Sequence, residues 1–63
     1  MLIERQKEIL SMLQEGKMIR VGELAQILYV SEPTVRRDLS ALEKQGLVRR
    51  VFGGVTLPEG AAD

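Results

Sequence analysis

The side chains able to do chemistry in this chain are concentrated between Ser31 and Gly54, and their chemistry is recognition rather than bond making. Arg36, Arg37, Lys44, Arg49 and Arg50 bring cationic N–H groups against only Glu32, Asp38 and Glu43 in the same stretch. Guanidinium forks match phosphate oxygens and the O6/N7 edge of guanine. Ser31 and Thr34 add hydroxyls that reach phosphate, and the Thr34 methyl suits contact with thymine. The chain has no His and no Cys. The usual zinc and haem ligands, thiolate metal frameworks and disulfides are thereby excluded. Without a phosphate-cradling loop or a convincing carboxylate pair, the usual nucleophile and acid–base constellations cannot be assembled, so the chain reads as a non-enzyme needing no cofactor or metal.

These residues need a scaffold, and the spacing around them supplies one. The segment from Leu24 to Gly54, LAQILYVSEPTVRRDLSALEKQGLVRRVFGG, reads as a helix-turn-helix followed by a basic hairpin. Ser31 can cap a helix by accepting a hydrogen bond from a backbone amide at its start, and Pro33 falls in the first turn, where its missing N–H is harmless. Val35, Leu39 and Leu42 recur on one side, whereas Arg37, Ser40 and Lys44 fall opposite, because each residue turns roughly 100° about the axis. One face packs and the other is free to meet a groove.

The rest of the chain completes the frame. Ile9, Leu10 and Leu13 form a stripe over Leu2 to Glu15, a first helix that Gly16 is suited to end. Met18 to Val21 is partly β-branched and predicts an extended connector able to pair with the hairpin. A second helix starts near Gly22 and carries Leu24, Ala25, Ile27 and Leu28; the third runs from about Ser31 to Gln45 and stops at Gly46. Leu47 to Val51 and Val55 to Leu57 then form the hairpin, with Phe52, Gly53 and Gly54 at its tip, where glycine supplies the positive backbone angles of a tight turn. The fold class is mainly α with a small β-hairpin, a three-helix winged helix-turn-helix. Leu24, Ile27, Val35, Leu39, Leu42, Leu47 and Val51 are expected in the core.

Sixty-three residues make at most one small domain. Residues 1–57 are assigned to it, and 58–63, with turn-like composition and no periodicity, to the start of a linker or disordered tail. No apolar run is long enough to span a bilayer, and Glu4 and Glu8 interrupt any secretory signal, so a cytoplasmic location is expected. Net charge is zero, with nine basic and nine acidic residues. That total argues weakly against nucleic acid, but the clustering of arginines in the second half allows a local basic surface on a neutral protein.

At this level of detail the chain resembles the N-terminal DNA-binding domain of the DeoR family of bacterial transcription repressors. The resemblance rests on Glu4-Arg5-Gln6, Ile9-Leu10, Leu13, Gly16, Val21, Glu23-Leu24-Ala25, Leu28, Val30-Ser31, Thr34-Val35-Arg36-Arg37-Asp38-Leu39, Leu42-Glu43, Gly46, Arg49 and Gly53-Gly54. Two positions depart: Phe52 stands where the family commonly has His, and Val55 where it commonly has Ala. The resemblance implies sequence-specific binding to a double-stranded DNA operator by a repressor of a sugar or carbohydrate metabolism operon. Arg36 and Arg37 are implied DNA contacts, and the helix start at Ser31 faces the DNA backbone. The candidate contact set is Ser31, Pro33, Thr34, Arg36, Arg37, Ser40, Lys44, Arg49, Arg50, Gly53 and Gly54. The family's proteins are several times longer, are expected to be homo-oligomers, and sense phosphorylated sugars through a C-terminal domain that this sequence lacks. The chain therefore reads as an excised domain, a natural short protein being the other reading.

Each contact has a plainer alternative. Ser31 is explained by capping alone, and Glu32 sits one turn before Arg36 in the favourable acid-first orientation, worth about 0.2 to 0.5 kcal/mol. Arg37 has no acid three or four residues away. Arg49 and Arg50 must point to opposite sides of a strand. Asp38 would repel phosphate, so a tertiary partner is expected for it instead. A winged helix used as a protein-interaction module is the alternative function, and salt-dependent duplex binding separates the two. No concavity fit for a sugar phosphate, roughly 300 Å³ or more, is expected in so small a fold.

Overall fold

The computed structural model describes residues 2–13 and 17–58. Its elements are α1 (Glu4–Leu13), β1 (Ile19–Arg20), α2 (Val21–Leu28), α3 (Glu32–Lys44), β2 (Arg49–Val51) and β3 (Gly54–Thr56). Three helices with a small antiparallel sheet make the winged helix-turn-helix that the sequence predicts. The expected end of the first helix at Glu15 and Gly16, and the tail beyond Pro58, lie outside the described residues.

Local chemistry accounts for the helix ends. Gln6 reaches back so that its Oε1 accepts the Ile3 amide at 3.3 Å, one half of a capping box at the start of α1. The Ser31 Oγ accepts the Thr34 amide at 3.3 Å, with Pro33 in the first turn of α3. At the other end, Gly46 adopts φ +75°, the Gly46 amide donates to the Glu43 carbonyl at 2.9 Å, and that of Leu47 to Leu42 at 3.0 Å. This double closure is a Schellman cap, which glycine favours because it has no Cβ to clash in the left-handed region. The start of α2 differs from expectation. Arg20, extended at φ −80° and ψ 150°, occupies the cap position, and Gly22 lies inside the first turn. The cause is tertiary, because β1 runs directly into α2.

The core consists of Ile9, Leu13, Val21, Leu24, Ala25, Val35, Leu39, Leu42, Val48 and Val55, drawn from every layer of the molecule. Three expected core residues depart, the mildest being Leu47, which is partly buried and packs against the core from its edge. Ile27 is 50% exposed, because the buried stripe of α2 runs through Val21, Leu24 and Ala25, with Leu28 partly buried at its end, and Ile27 falls past its edge. Val51 is only half-buried, opposite Gly54, which has no side chain to cover it. Val48 and Val55 supply the hairpin's buried surface instead, and the larger residue at position 55 is fully buried.

The sheet order is β1-β3-β2, which places β3 at the centre. Ile19 pairs with Val55 and Arg20 with Gly54 on one side, while Arg49, Arg50 and Val51 pair with Thr56, Val55 and Gly54 on the other. The connector before α2 thus pairs with the hairpin, as its composition predicts. Phe52 and Gly53 make the turn, and only Gly53 has positive φ, at +80°.

Gly54 is a correction to the tip expectation, for it is a buried strand residue whose lack of a Cβ serves close approach. A Cβ there would collide with Met18 Sδ and sit 2.6 Å from the Ile19 carbonyl oxygen. That oxygen belongs to the paired strand and cannot retreat without disturbing the β1–β3 ladder. Gly54→Ala is accordingly expected to destabilise the fold by about 1 to 3 kcal/mol, the range for overpacking. Urea unfolding checks this, and an unchanged midpoint would show that the strands tolerate more separation than described.

Candidate nucleic-acid interface

α3 carries the largest share of the expected contacts. Arg36, Arg37, Ser40 and Lys44 are exposed along it, as are Ser31 and Pro33 at its start, while Thr34 is half-buried. The Ser31 and Thr34 hydroxyls lie 3.0 Å apart and hydrogen-bond to each other. Their structural role is therefore secure, and a lone pair on either oxygen remains for a second partner. Arg36 donates from Nη2 to Glu32 Oε1 at 3.2 Å, with both side chains about half exposed (55% and 49%). An exposed pair of this kind contributes little and yields readily to phosphate. Among the described residues, Arg37 has no ion-pair or hydrogen-bond partner.

Asp38 follows Arg37 in sequence and faces the other way. It is buried, at 5% exposure. There its carboxylate accepts two hydrogen bonds from Arg5 of α1, one from Nε to Oδ2 and one from Nη2 to Oδ1 at 3.2 Å. The bond to Asp38 raises the Arg5 guanidinium pKa above its ordinary value, with partial burial opposing and the Asp38 charge assisting. The expected tertiary partner is thus Arg5, and the pair docks α1 on α3 while keeping a carboxylate away from the exposed helix face.

The wing brings a second group of residues near the first. Arg50 and Gly53, together with Arg36, Glu32 and Tyr29, line an open concavity of about 950 Å³ between the helix-turn-helix and the sheet, with buried Gly54 also on its wall. Its volume exceeds the roughly 300 Å³ not expected in so small a fold, but it is a trough open to solvent and not an enclosed pocket. A filled core governs only enclosed space, and this trough lies outside the core, where the hairpin stands away from α2 and α3. Arg20 also lines it and was not among the predicted contacts. Sequence reasoning misses Arg20 because a two-residue strand has no periodicity from which to assign its facing. Arg37, Ser40, Lys44 and Arg49 lie outside this trough, so the expected contacts divide between the trough and the remainder of the α3 and wing surface.

Tyr29 occupies the turn between α2 and α3 in the left-handed region, at φ 59° and ψ 43°, and is exposed. The amides of Tyr29 and Val30 both return to the Ala25 carbonyl, ending α2 sharply so that α3 can cross it. This geometry, with Arg36, Arg37 and Lys44 exposed on α3 and a wing beside it, is that of a winged helix-turn-helix.

Residues 5–61 match the model of the DeoR-like helix-turn-helix domain. The chain belongs to that family. It is 48% identical over 54 residues to the HTH-type transcriptional regulator GolR of Listeria innocua, a match covering 86% of this chain and 21% of that protein. It is 45% identical over 51 residues to the lactose phosphotransferase system repressor of Streptococcus mutans, covering 81% and 20%. Identity to the transcriptional repressor AccR of Agrobacterium fabrum is 39% over 51 residues, with the same coverage of 81% and 20%. The DeoR-like chain therefore spans about a fifth of the length of these relatives. No solved structure gives a significant match. Among its described residues, no helix is long and apolar enough to cross a membrane, and no group of three or more His, Cys, Asp or Glu is placed to hold a metal ion.

Proposed function

We propose that this chain is the operator-reading domain of a bacterial transcriptional repressor controlling a sugar or carbohydrate operon. α3 lies in the major groove, Arg37 reads a base edge, and the wing with Arg50 holds the flanking backbone. The single observation that carries this reading is the division between neighbours on α3: Arg37 is exposed and unpartnered among the described residues, while the adjacent carboxylate is turned inward onto Arg5. A helix face arranged in this way attracts polyanions despite the chain's zero net charge. Ser31, Pro33, Thr34, Arg36, Ser40, Lys44, Arg49 and Gly53 complete the proposed contact surface, with Arg20 added from the trough. The names of the Streptococcus mutans and Agrobacterium fabrum relatives support repression, and the former supports a sugar-linked target. The domain does no catalysis and works in the cytoplasm. Oligomerisation and response to a phosphorylated sugar belong to parts of a longer protein, as the one-fifth coverage of the relatives suggests.

Selection of bound sites from random duplex DNA, followed by titration against salt, tests this. An enriched motif is expected, with affinity falling about a hundredfold between about 50 and about 200 mM salt if about four phosphates are neutralised. Failure to enrich a motif, with salt-independent or absent duplex binding, would replace this reading with that of a protein-interaction module.

A further inference from the structure

Phe52 stands fully exposed at the tip of the wing, and nothing in the fold calls for an aromatic ring there. The turn depends on Gly53 for its positive φ, whereas the position Phe52 occupies accepts most residue types. The buried core is aliphatic throughout and has no use for the ring. Tyr29, the other aromatic of the chain, ends in a hydroxyl that water solvates, but Phe52 has no polar atom to offer. A bare phenyl group held in water is most simply understood as one awaiting an apolar or stacked surface.

Its mounting narrows what that surface is. Val51 pairs with Gly54, and Gly54 pairs again with Arg20 of β1, so the ring projects just beyond a three-stranded anchor. Arg50 and Gly53, on either side of Phe52, line the same trough as Arg36 of α3. With α3 in the major groove as proposed above, the hairpin beside it meets the adjoining groove of the duplex. The minor groove is about 6 Å wide and about 7.5 Å deep, and apolar side chains that enter it wedge against base steps and partly unstack them.

We infer that Phe52 enters the minor groove beside the α3 site and wedges against a base step there, giving preference for a deformable pyrimidine–purine step at a position α3 does not touch. The inference rests on the DNA-reading function proposed above. Because the ring carries no charge, its contribution is independent of the salt-sensitive arginine contacts. Steps such as TA and CA deform easily, whereas A-tracts are stiff, so discrimination follows from the energy of distorting the DNA rather than from hydrogen bonds.

The test uses the full chain and the duplex enriched from the random pool, rebuilt with TA, CA or AA at each flanking step. Wild type is expected to bind one TA-flanked duplex about tenfold more tightly than its AA counterpart and to bend it, as read by energy transfer between end labels. Phe52→Ser should bind all versions equally, without the bend, and with the wild-type salt slope. Phe52→Leu, another apolar wedge, should keep most of the preference. Thermal unfolding of both variants should match wild type, since the residue is fully exposed. If wild type binds the enriched duplex but ignores every flanking step, or if Phe52→Ser retains the preference, the wedge is overturned and the DNA-reading function stands. If no duplex is enriched, the DNA-reading function has failed and the wedge falls with it.

Discussion

Leu39→Ala is expected to remove most of the stability of this domain and lower its melting temperature by about 10 °C or more. Leu39 is fully buried in the middle of α3, among the aliphatic residues contributed by all three helices and the hairpin. Truncating a buried leucine costs about 2 to 5 kcal/mol, combining lost transfer energy with the cavity left behind. A domain of 63 residues has roughly 3 to 9 kcal/mol in total. The truncation therefore consumes a large part of what holds α3 in place, and with it the geometry of Arg36 and Arg37. Leu39→Met, which conserves volume, should cost less than about 1.5 kcal/mol. Thermal and urea unfolding of the two variants side by side measure this, and a small shift for Leu39→Ala would mean that α3 is not seated as described.

Arg37→Ala should leave stability unchanged and alter recognition, the opposite pattern. The side chain is exposed and has no partner among the described residues, so its removal breaks nothing in the fold. If it makes a bidentate contact to a base, its loss should cost about 1 to 3 kcal/mol at one base-pair position, equivalent to about fivefold to about 150-fold in discrimination. Arg50→Ala, by contrast, should weaken all sequences evenly and reduce the salt slope by about one. Binding to a panel of single-base variants of the selected site decides between these patterns. An unchanged preference profile for Arg37→Ala would remove it as the leading base contact.

Features set by neighbouring residues were legible in the sequence, and features set by distant ones were not. Ser31 as a cap, Pro33 in the first turn and Gly46 at the end of α3 follow from hydrogen bonds within a few residues, and the structure places them as predicted. The inward turn of Asp38 could be anticipated from the repulsion it would otherwise create, but its partner Arg5 lies 33 residues away and no local rule identifies it. The misplaced Ile27 shows the limit of an apolar pattern in an eight-residue helix, where two turns define the buried stripe poorly. Gly53 and Gly54 look equivalent as sequence, yet one supplies a backbone angle and the other makes space for β1. Arg20 and the trough emerge only once the hairpin has folded back beside α2. The candidate surface on α3 was thus readable from periodicity, whereas its junction with the wing depended on tertiary pairing.

The direct passage of β1 into α2, together with the pairing of β1 to the central strand of the sheet, has a thermodynamic consequence. No linker separates the wing from the helix-turn-helix at that junction, so the relative placement of the two surfaces is established when the domain folds. A partner that touches both meets a preassembled shape and need not order a flexible arm during association, which spares the ordering entropy that such arms impose. The heat-capacity change of complex formation should then correspond to the surface buried between the two molecules, without the additional component that accompanies coupled folding.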